Sequence, residues 1–205
     1  IEATKNINRD DVAKSLKQFI GKSQQIPPMY SAIKQKGVPL YKIARKGITV
    51  ERSARDINIY DIKLVNFTKD VFELAVHCSK GTYIRTLVED IGKSVGSGAY
   101  VVKLERTAFA HLKLADSLSL KELLKKKDIS LTELDKTIIN SEEMLPNLAS
   151  IFLTDNDVAN IKFGKKINND YKRAEKIKLF DNNNNFLGIG ESYENGTIAP
   201  KRLFI

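Results

Sequence analysis

Between Phe72 and Val95 the apolar residues change their period, and few architectures accommodate that change. Phe72, Leu74, Val76 and Cys78 alternate, which predicts a strand over residues 71–79 with one buried face. Ile84, Leu87, Val88, Ile91 and Val95 then recur at helical spacing, and Gly96 and Gly98 break the pattern. The turn between them therefore delivers the chain from a strand end into a helix N-terminus, where backbone N–H groups are free to meet an anion. Residues 100–110 read as a return to strand. A strand–turn–helix–turn–strand order belongs to an α+β layer pattern.

The flanking segments fit the same class. Residues 10–20 predict a helix capped by Asp10, with Val12, Leu16, Phe19 and Ile20 on one stripe and Gly21 at its end. Pro27 and Pro28 make residues 24–37 a loop. Residues 40–46 predict a short helix closed by Gly47. Residues 57–67 predict a strand whose alternation slips near Tyr60, as a bulge would produce. Short helices are expected near 118–127 and 131–139. Residues 144–150, containing Pro146, form the expected domain boundary. Beyond it we expect a small module, with a helix near 154–163 and strands near 176–180, 186–191 and 197–205. Residues 181–185 form the polar turn between two of those strands.

Composition narrows the function classes. The chain has 205 residues, 34 Lys plus Arg, 25 Asp plus Glu and a net charge of +9. That length fits one or two domains. A single cysteine, Cys78, excludes an internal disulfide framework and is the usage expected of a reducing, cytoplasmic compartment. One Cys and two His (His77 and His111) leave no ordinary His/Cys zinc site. No apolar run is long enough to span a membrane. Residues 30–56 hold seven basic and two acidic side chains, residues 128–157 one and seven, and residues 162–178 seven and two. Basic regions separated by an acidic one suit a polyanion-facing surface, or simply the solvated faces of a lysine-rich protein.

Two segments carry the chemistry. Gln25-Ile26-Pro27-Pro28-Met29-Tyr30-Ser31-Ala32-Ile33-Lys34 leads into a stretch with Tyr41, Arg45 and Arg52. Cations neutralise phosphates and aromatic faces stack on bases, so this mixture suits nucleic acid, though an ordinary surface insertion has similar composition. His77-Cys78-Ser79-Lys80-Gly81-Thr82-Tyr83-Ile84-Arg85-Thr86 spans the strand-to-helix turn. Tyr83 and Arg85 fall in the first helical turn, within reach of the strand ends; a buried Arg there needs a carboxylate partner. A plain capped helix start with a surface Tyr and Arg is the alternative. The Lys-Gly-Thr run lacks the glycine spacing of a Walker motif.

These two segments, with Gly98-Ala99-Tyr100-Val101-Val102-Lys103-Leu104-Glu105-Arg106-Thr107, closely resemble the TruB family of bacterial tRNA pseudouridine-55 synthases. The resemblance runs in order from about Asp11 to Thr107. It resumes more weakly in residues 184–205, at Gly188-Ile189-Gly190-Glu191 and Ala199-Pro200-Lys201-Arg202. It implies a partial pseudouridine synthase fold over residues 1–147, with a mixed, mainly antiparallel sheet and flanking helices. Residues 26–56 would be its thumb loop, and residues 148–205 a PUA-like RNA-binding β module.

The implied activity is isomerisation of a T-loop uridine, flipped out of its stack, freed at its glycosidic bond, rotated and rejoined through carbon. By resemblance Tyr83 packs on the flipped base, Arg85 pairs with a catalytic aspartate and Leu104 forms an apolar wall. Tyr30, Lys34, Tyr41, Arg45, Arg52, Lys80, Arg106, Lys201 and Arg202 are the implied RNA contacts. The family more often has Arg where this chain has Glu105. The implied partner is the tRNA T-arm, with no metal, organic cofactor or membrane.

The family's nucleophilic aspartate lies in a Gly-X-Leu-Asp-Pro motif that these residues do not contain. The chain also begins with Ile rather than Met. The expectation is therefore an inactive C-terminal portion, needing an upstream segment of the same gene product to complete the site. A non-catalytic RNA-binding module and a guide-RNA-dependent synthase are the alternatives. The long 30–55 region argues against the latter, since it resembles the stand-alone enzymes. A basic α+β interaction protein is the plainest reading.

Overall fold

A computed structural model describes residues 7–68 and 71–204. The chain divides into two compact units, Ile1–Glu105 and Arg106–Ile205.

The first unit is built on a three-stranded antiparallel sheet in the order β1 (Gly21–Gln25), β4 (Arg55–Phe67), β5 (Phe72–Cys78). Helices α1 (Arg9–Leu16) and α3 (Ile84–Ser94) supply Val12, Leu16, Leu87 and Ile91 to a core shared with Ile59 and Ile62 of β4. Fully burying each of these aliphatic side chains contributes about 1.5–3 kcal/mol. The slip near Tyr60 is a register shift between Ile59 and Asp61. Two β4 residues there face one on β5, so Ile62 returns to the core face that Ile59 occupies. Without it their offset of three positions would place the two isoleucines on opposite faces.

Some expectations shift in detail. Asn8, not Asp10, caps α1, accepting from the Asp11 N–H at 3.0 Å while the Asp11 carboxylate accepts from the Asn8 N–H. The helix tightens into a 3₁₀ turn at Lys17–Phe19, and Gly21, at φ +105°, opens β1. That strand was expected as loop from residue 24. Its sequence, Gly-Lys-Ser-Gln-Gln, has no apolar alternation, and its pairing with β4 creates it. Between β1 and β4 the chain forms a small hairpin, β2 (Lys34–Gln35) with β3 (Val38–Pro39), and the short helix α2 (Leu40–Ala44).

Residues 100–107 form no strand. Tyr100, Val102 and Leu104 alternate as expected but stand 81%, 69% and 61% exposed, because no neighbouring strand supplies a ladder.

In the second unit, β6 (Ala108–Phe109) and β7 (Leu112–Lys113) make a two-stranded hairpin. Helices α4 (Leu120–Ile129) and α5 (Leu131–Asp135) follow, each capped by a serine, Ser119 and Ser130. A five-stranded sheet then runs β8 (Ala149–Phe152), β10 (Glu175–Phe180), β11 (Phe186–Ser192), β12 (Thr197–Leu203), β9 (Ile167–Asn168). Only β8 with β10 is parallel; the other pairs are antiparallel. Helix α6 (Asp155–Lys162), capped by Thr154, contributes Ile161 to a core with Leu153, Ile177, Leu179 and Ile198. Strands β8 and β9 were not expected. Ile205, where the last strand was expected to end, lies outside the described residues.

Gly92 offers a sign test of the packing. Glycine to alanine within a helix ordinarily stabilises by about 1 kcal/mol. Here a Cβ would lie 2.5 Å from the Ala99 backbone nitrogen, which folds back onto α3. Gly92→Ala should therefore destabilise the chain by about 1–3 kcal/mol in urea unfolding. A raised midpoint would contradict this close approach.

Candidate active site

The turn that joins β5 to α3 is held from two sides. Ser79 docks it on β4: its N–H donates to the Asn58 carbonyl at 2.8 Å, and its Oγ accepts from the Asn58 N–H at 2.9 Å. Gly81, at φ +87°, reverses the chain where a side chain would be strained. Tyr83 then caps α3 without a side-chain hydrogen bond of its own.

Gln25, at the end of β1, completes the attachment. The Tyr83 N–H donates to Gln25 Oε1 at 2.8 Å, and Gln25 Nε2 donates to the Tyr83 carbonyl at 3.2 Å. The amide is buried, with 6% of Gln25 exposed. Both ends of one side chain thus satisfy both backbone groups of one residue, and the two motifs become one structure.

A second tie lies one helical step on. Arg85 Nη2 donates to the Tyr30 carbonyl at 2.9 Å. The sequence reading required a carboxylate if Arg85 were buried; Arg85 is exposed, and a backbone carbonyl takes one of its protons. The other guanidinium protons make no hydrogen bond among the described residues, so they can receive a carboxylate side-on. The loop carrying Tyr30 is itself anchored, with Arg52 Nη1 donating to the Pro27 carbonyl at 3.0 Å and the Tyr41 N–H to the Ser31 carbonyl at 3.0 Å.

Tyr83, Arg85, Tyr30, Tyr41, Arg45, Arg52, Lys34 and Lys80 therefore share the first unit. Tyr30 is 57% exposed, and the Arg45 guanidinium lies 5.6 Å from the centre of the Tyr41 ring. Arg52 is half-buried and spent on anchoring the loop, rather than presented to solvent as a free cation. Leu104 stands exposed on the unpaired 100–107 segment, so it walls nothing among the described residues. A recess of about 600 Å³ opens beside β1 and β4, lined by residues including Lys22, Gln24, Asn58 and Ser79.

Arg106, Lys201 and Arg202 belong to the second unit. Lys201 Nζ lies 3.1 Å from Glu191 Oε2, and that hydrogen bond holds the Glu191 carboxyl below the usual carboxylate range. Among the described residues no three His, Cys, Asp or Glu side chains converge as a metal site would require. Nor is any described helix long and apolar enough to cross a membrane.

Gln25 was quoted in the first motif but given no role. Its only signal in the sequence is position: a polar residue two places ahead of the Pro27-Pro28 pair.

Comparison with known proteins gives this arrangement its class. Residues 1–84 match the family described as "TruB family pseudouridylate synthase (N terminal domain)". Residues 85–146 match "tRNA pseudouridylate synthase B C-terminal domain", and residues 149–204 match "Pseudouridine synthase II TruB, C-terminal". All three matched families are described as pseudouridine or pseudouridylate synthases.

Among curated proteins, "tRNA pseudouridine synthase B" of Legionella pneumophila (strain Lens) is 39% identical over 199 residues, 96% of this chain and 65% of that protein. The protein of the same name from Actinobacillus succinogenes is 36% identical over 203 residues, again covering 65% of its length. This chain belongs to the TruB family, and it spans about 65% of the length of these relatives.

Solved structures agree on the fold. A chain of the "Cbf5-Nop10-Gar1 Complex" superposes with a TM-score of 0.73 at 20% identity, covering 98% of this chain and 63% of its own length. A chain of the "H/ACA RNP bound to a substrate RNA containing 2'-deoxyuridine" gives 0.70 at 18% identity, with coverages of 98% and 62%.

If Gln25 sets the start of α3, Gln25→Ala should cost about 1–3 kcal/mol by stranding the Tyr83 N–H. It should also speed hydrogen exchange of the Tyr83 amide at least about tenfold. Unchanged exchange at that amide would remove Gln25 from this role.

Proposed function

We propose that this chain is the tRNA-gripping and pocket-forming part of a pseudouridine synthase that converts the T-loop uridine, U55, of tRNA to pseudouridine. The observation that carries the reading is the joining of the Pro-Pro-Met-Tyr loop to the Tyr83–Arg85 helix start through Gln25 and the Tyr30 carbonyl. A loop that contacts RNA and a helix that contacts the target base must move as one if binding is to position the reaction. We assign residues 1–147 to the catalytic part, 26–56 to its thumb and 148–205 to a PUA-like RNA-binding domain. The tRNA pool it acts on is cytoplasmic.

In this reading the uridine leaves its stack, at a cost of a few kcal/mol, and its base packs on the Tyr83 ring. Arg85 holds an aspartate ionised and aimed by a charge-assisted pair. That aspartate comes from outside these 205 residues, since the Gly-X-Leu-Asp-Pro motif is not within them. The bond between the sugar and base nitrogen breaks, the base turns, and a sugar–carbon bond forms at C5. The C5 hydrogen leaves to solvent as the freed nitrogen gains a proton, so the reaction is an isomerisation needing no oxidant.

Among the described residues no carboxylate pairs with Arg85. That leaves a second reading, a non-catalytic RNA-binding module. A guide-RNA-dependent synthase is disfavoured, because the relatives at 36–39% identity carry the tRNA synthase name.

Tritium release from a T-arm hairpin labelled at uridine C5 separates these readings. The complete gene product should release tritium, and the 205-residue chain should not. Release by the 205-residue chain would refute an external aspartate. Release by neither, with binding retained, would establish the binding module. In the complete protein, Arg85→Ala should lower turnover at least about a hundred-fold while changing hairpin affinity far less. Equal losses in both would remove Arg85 from the chemistry. Hairpin binding should also weaken steeply with salt, in proportion to the phosphates neutralised.

A further inference from the structure

Four phenylalanines form a continuous row across one end of the second unit's sheet. Phe152 stacks on Phe180 with ring centres 5.4 Å apart, Phe180 meets Phe186 at 5.4 Å, and Phe186 meets Phe204 at 5.6 Å. Each comes from, or directly follows, a different strand: β8, β10, β11 and β12. Their chain neighbours Ile151, Leu153, Leu179, Leu187 and Leu203 pack into the core. Side chains alternate between sheet faces, so the row lies on the face opposite that core. It thus lies outside the aliphatic cluster on the other face, although Phe180 at its centre is buried.

The row is fixed at its centre and open at its ends. Phe180 is 9% exposed, whereas Phe152 and Phe204 are 56% and 52% exposed. The next row along the same face reads Ser150, Lys178, Ile189, Arg202 by strand register. It adds two cations and no acid, and the Arg202 guanidinium lies 5.9 Å from the centre of the Phe204 ring. Two acidic side chains that adjoin these strands are already engaged. Asp181 accepts from the Asn183 and Asn185 N–H groups, each at 2.8 Å, and Glu191 pairs with Lys201.

We infer that this face binds unpaired RNA nucleotides, with bases on Phe152 and Phe204 and phosphates on Lys178 and Arg202; the inference rests on the RNA-binding role proposed for residues 148–205. Half-exposed rings held in place by packed neighbours are stacking positions that lose little freedom on binding. Duplex RNA hides its base faces, so only single-stranded nucleotides can use them. The bordering cations match a phosphate backbone and would repel a basic partner protein. The face therefore complements a thumb that grips a folded T-arm: one site takes a helical stem and loop, the other an unpaired stretch.

The test exploits the absence of tryptophan from the chain. In Phe204→Trp, the single indole should be quenched as an unlabelled single-stranded oligouridylate is added, and affinity should match that of the unaltered chain. Phe204→Leu and Phe152→Leu retain apolar packing but lose the aromatic face. Each should weaken oligouridylate binding about five- to a hundred-fold, the range of one lost stack. T-arm hairpin binding should stay within about twofold in all of them. Circular dichroism melts within a few degrees of the parent establish that each variant is folded.

Full-strength oligouridylate binding by both leucine variants would overturn the stacking site. So would a change in sedimentation that marks the row as a contact between copies of the chain. Loss of hairpin and oligouridylate binding together would overturn the division of labour. Loss of hairpin binding by the unaltered chain would instead count against the thumb assignment alone.

Discussion

The arrangement in the first unit depends on one buried amide. A helix start has N–H groups with no partner inside the helix, and a strand end next to prolines has no ladder to continue. Gln25 meets both needs by donating to and accepting from Tyr83. An apolar residue there would leave the Tyr83 N–H unsatisfied, the Tyr83 carbonyl keeping only the Leu87 N–H, and a carboxylate would offer no donor. Glutamine alone among side chains of that length presents a donor and an acceptor side by side. The Tyr30–Arg85 bond and the Pro27–Arg52 bond then extend the same logic outward, with arginines serving backbone carbonyls that the prolines leave without ladder partners.

Much of this was legible in advance where one physical signal dominated. The switch from alternation in Phe72–Cys78 to helical spacing in Ile84–Ser94 placed β5 and α3 within a residue or so. The bulge in β4 showed itself as a broken alternation, because a buried face cannot tolerate an uncorrected slip. Strand β1 was illegible because pairing, not composition, makes it a strand. Residues 100–107 misled for the converse reason: alternation predicts a strand only when another strand lies alongside. The candidate site was legible as two motifs, but their connection was not, since Gln25 and Tyr83 are 58 positions apart.

Charge proved less informative than position. Arg52 and Lys201 stood equally with Lys34 and Lys80 among the implied RNA contacts, yet one holds a carbonyl and the other pairs with Glu191. The same residue type serves as a structural fastener in one place and as free surface charge in another. Aromatic residues divide in the same way. The row from Phe152 to Phe204 sits outside the core that the aliphatic residues of the second unit already fill.

The three-stranded sheet leaves β1 and β5 each paired on one side only among the described residues. Charged and polar residues on β1, with Lys22, Ser23 and Gln24 exposed, blunt one edge. The bare alternation of Tyr100, Val102 and Leu104 has fewer such safeguards, with Lys103 and Glu105 its nearest charges. An exposed alternating stretch of that kind can pair edge to edge with the same stretch of another molecule, so its self-association at high concentration is set by these few charges.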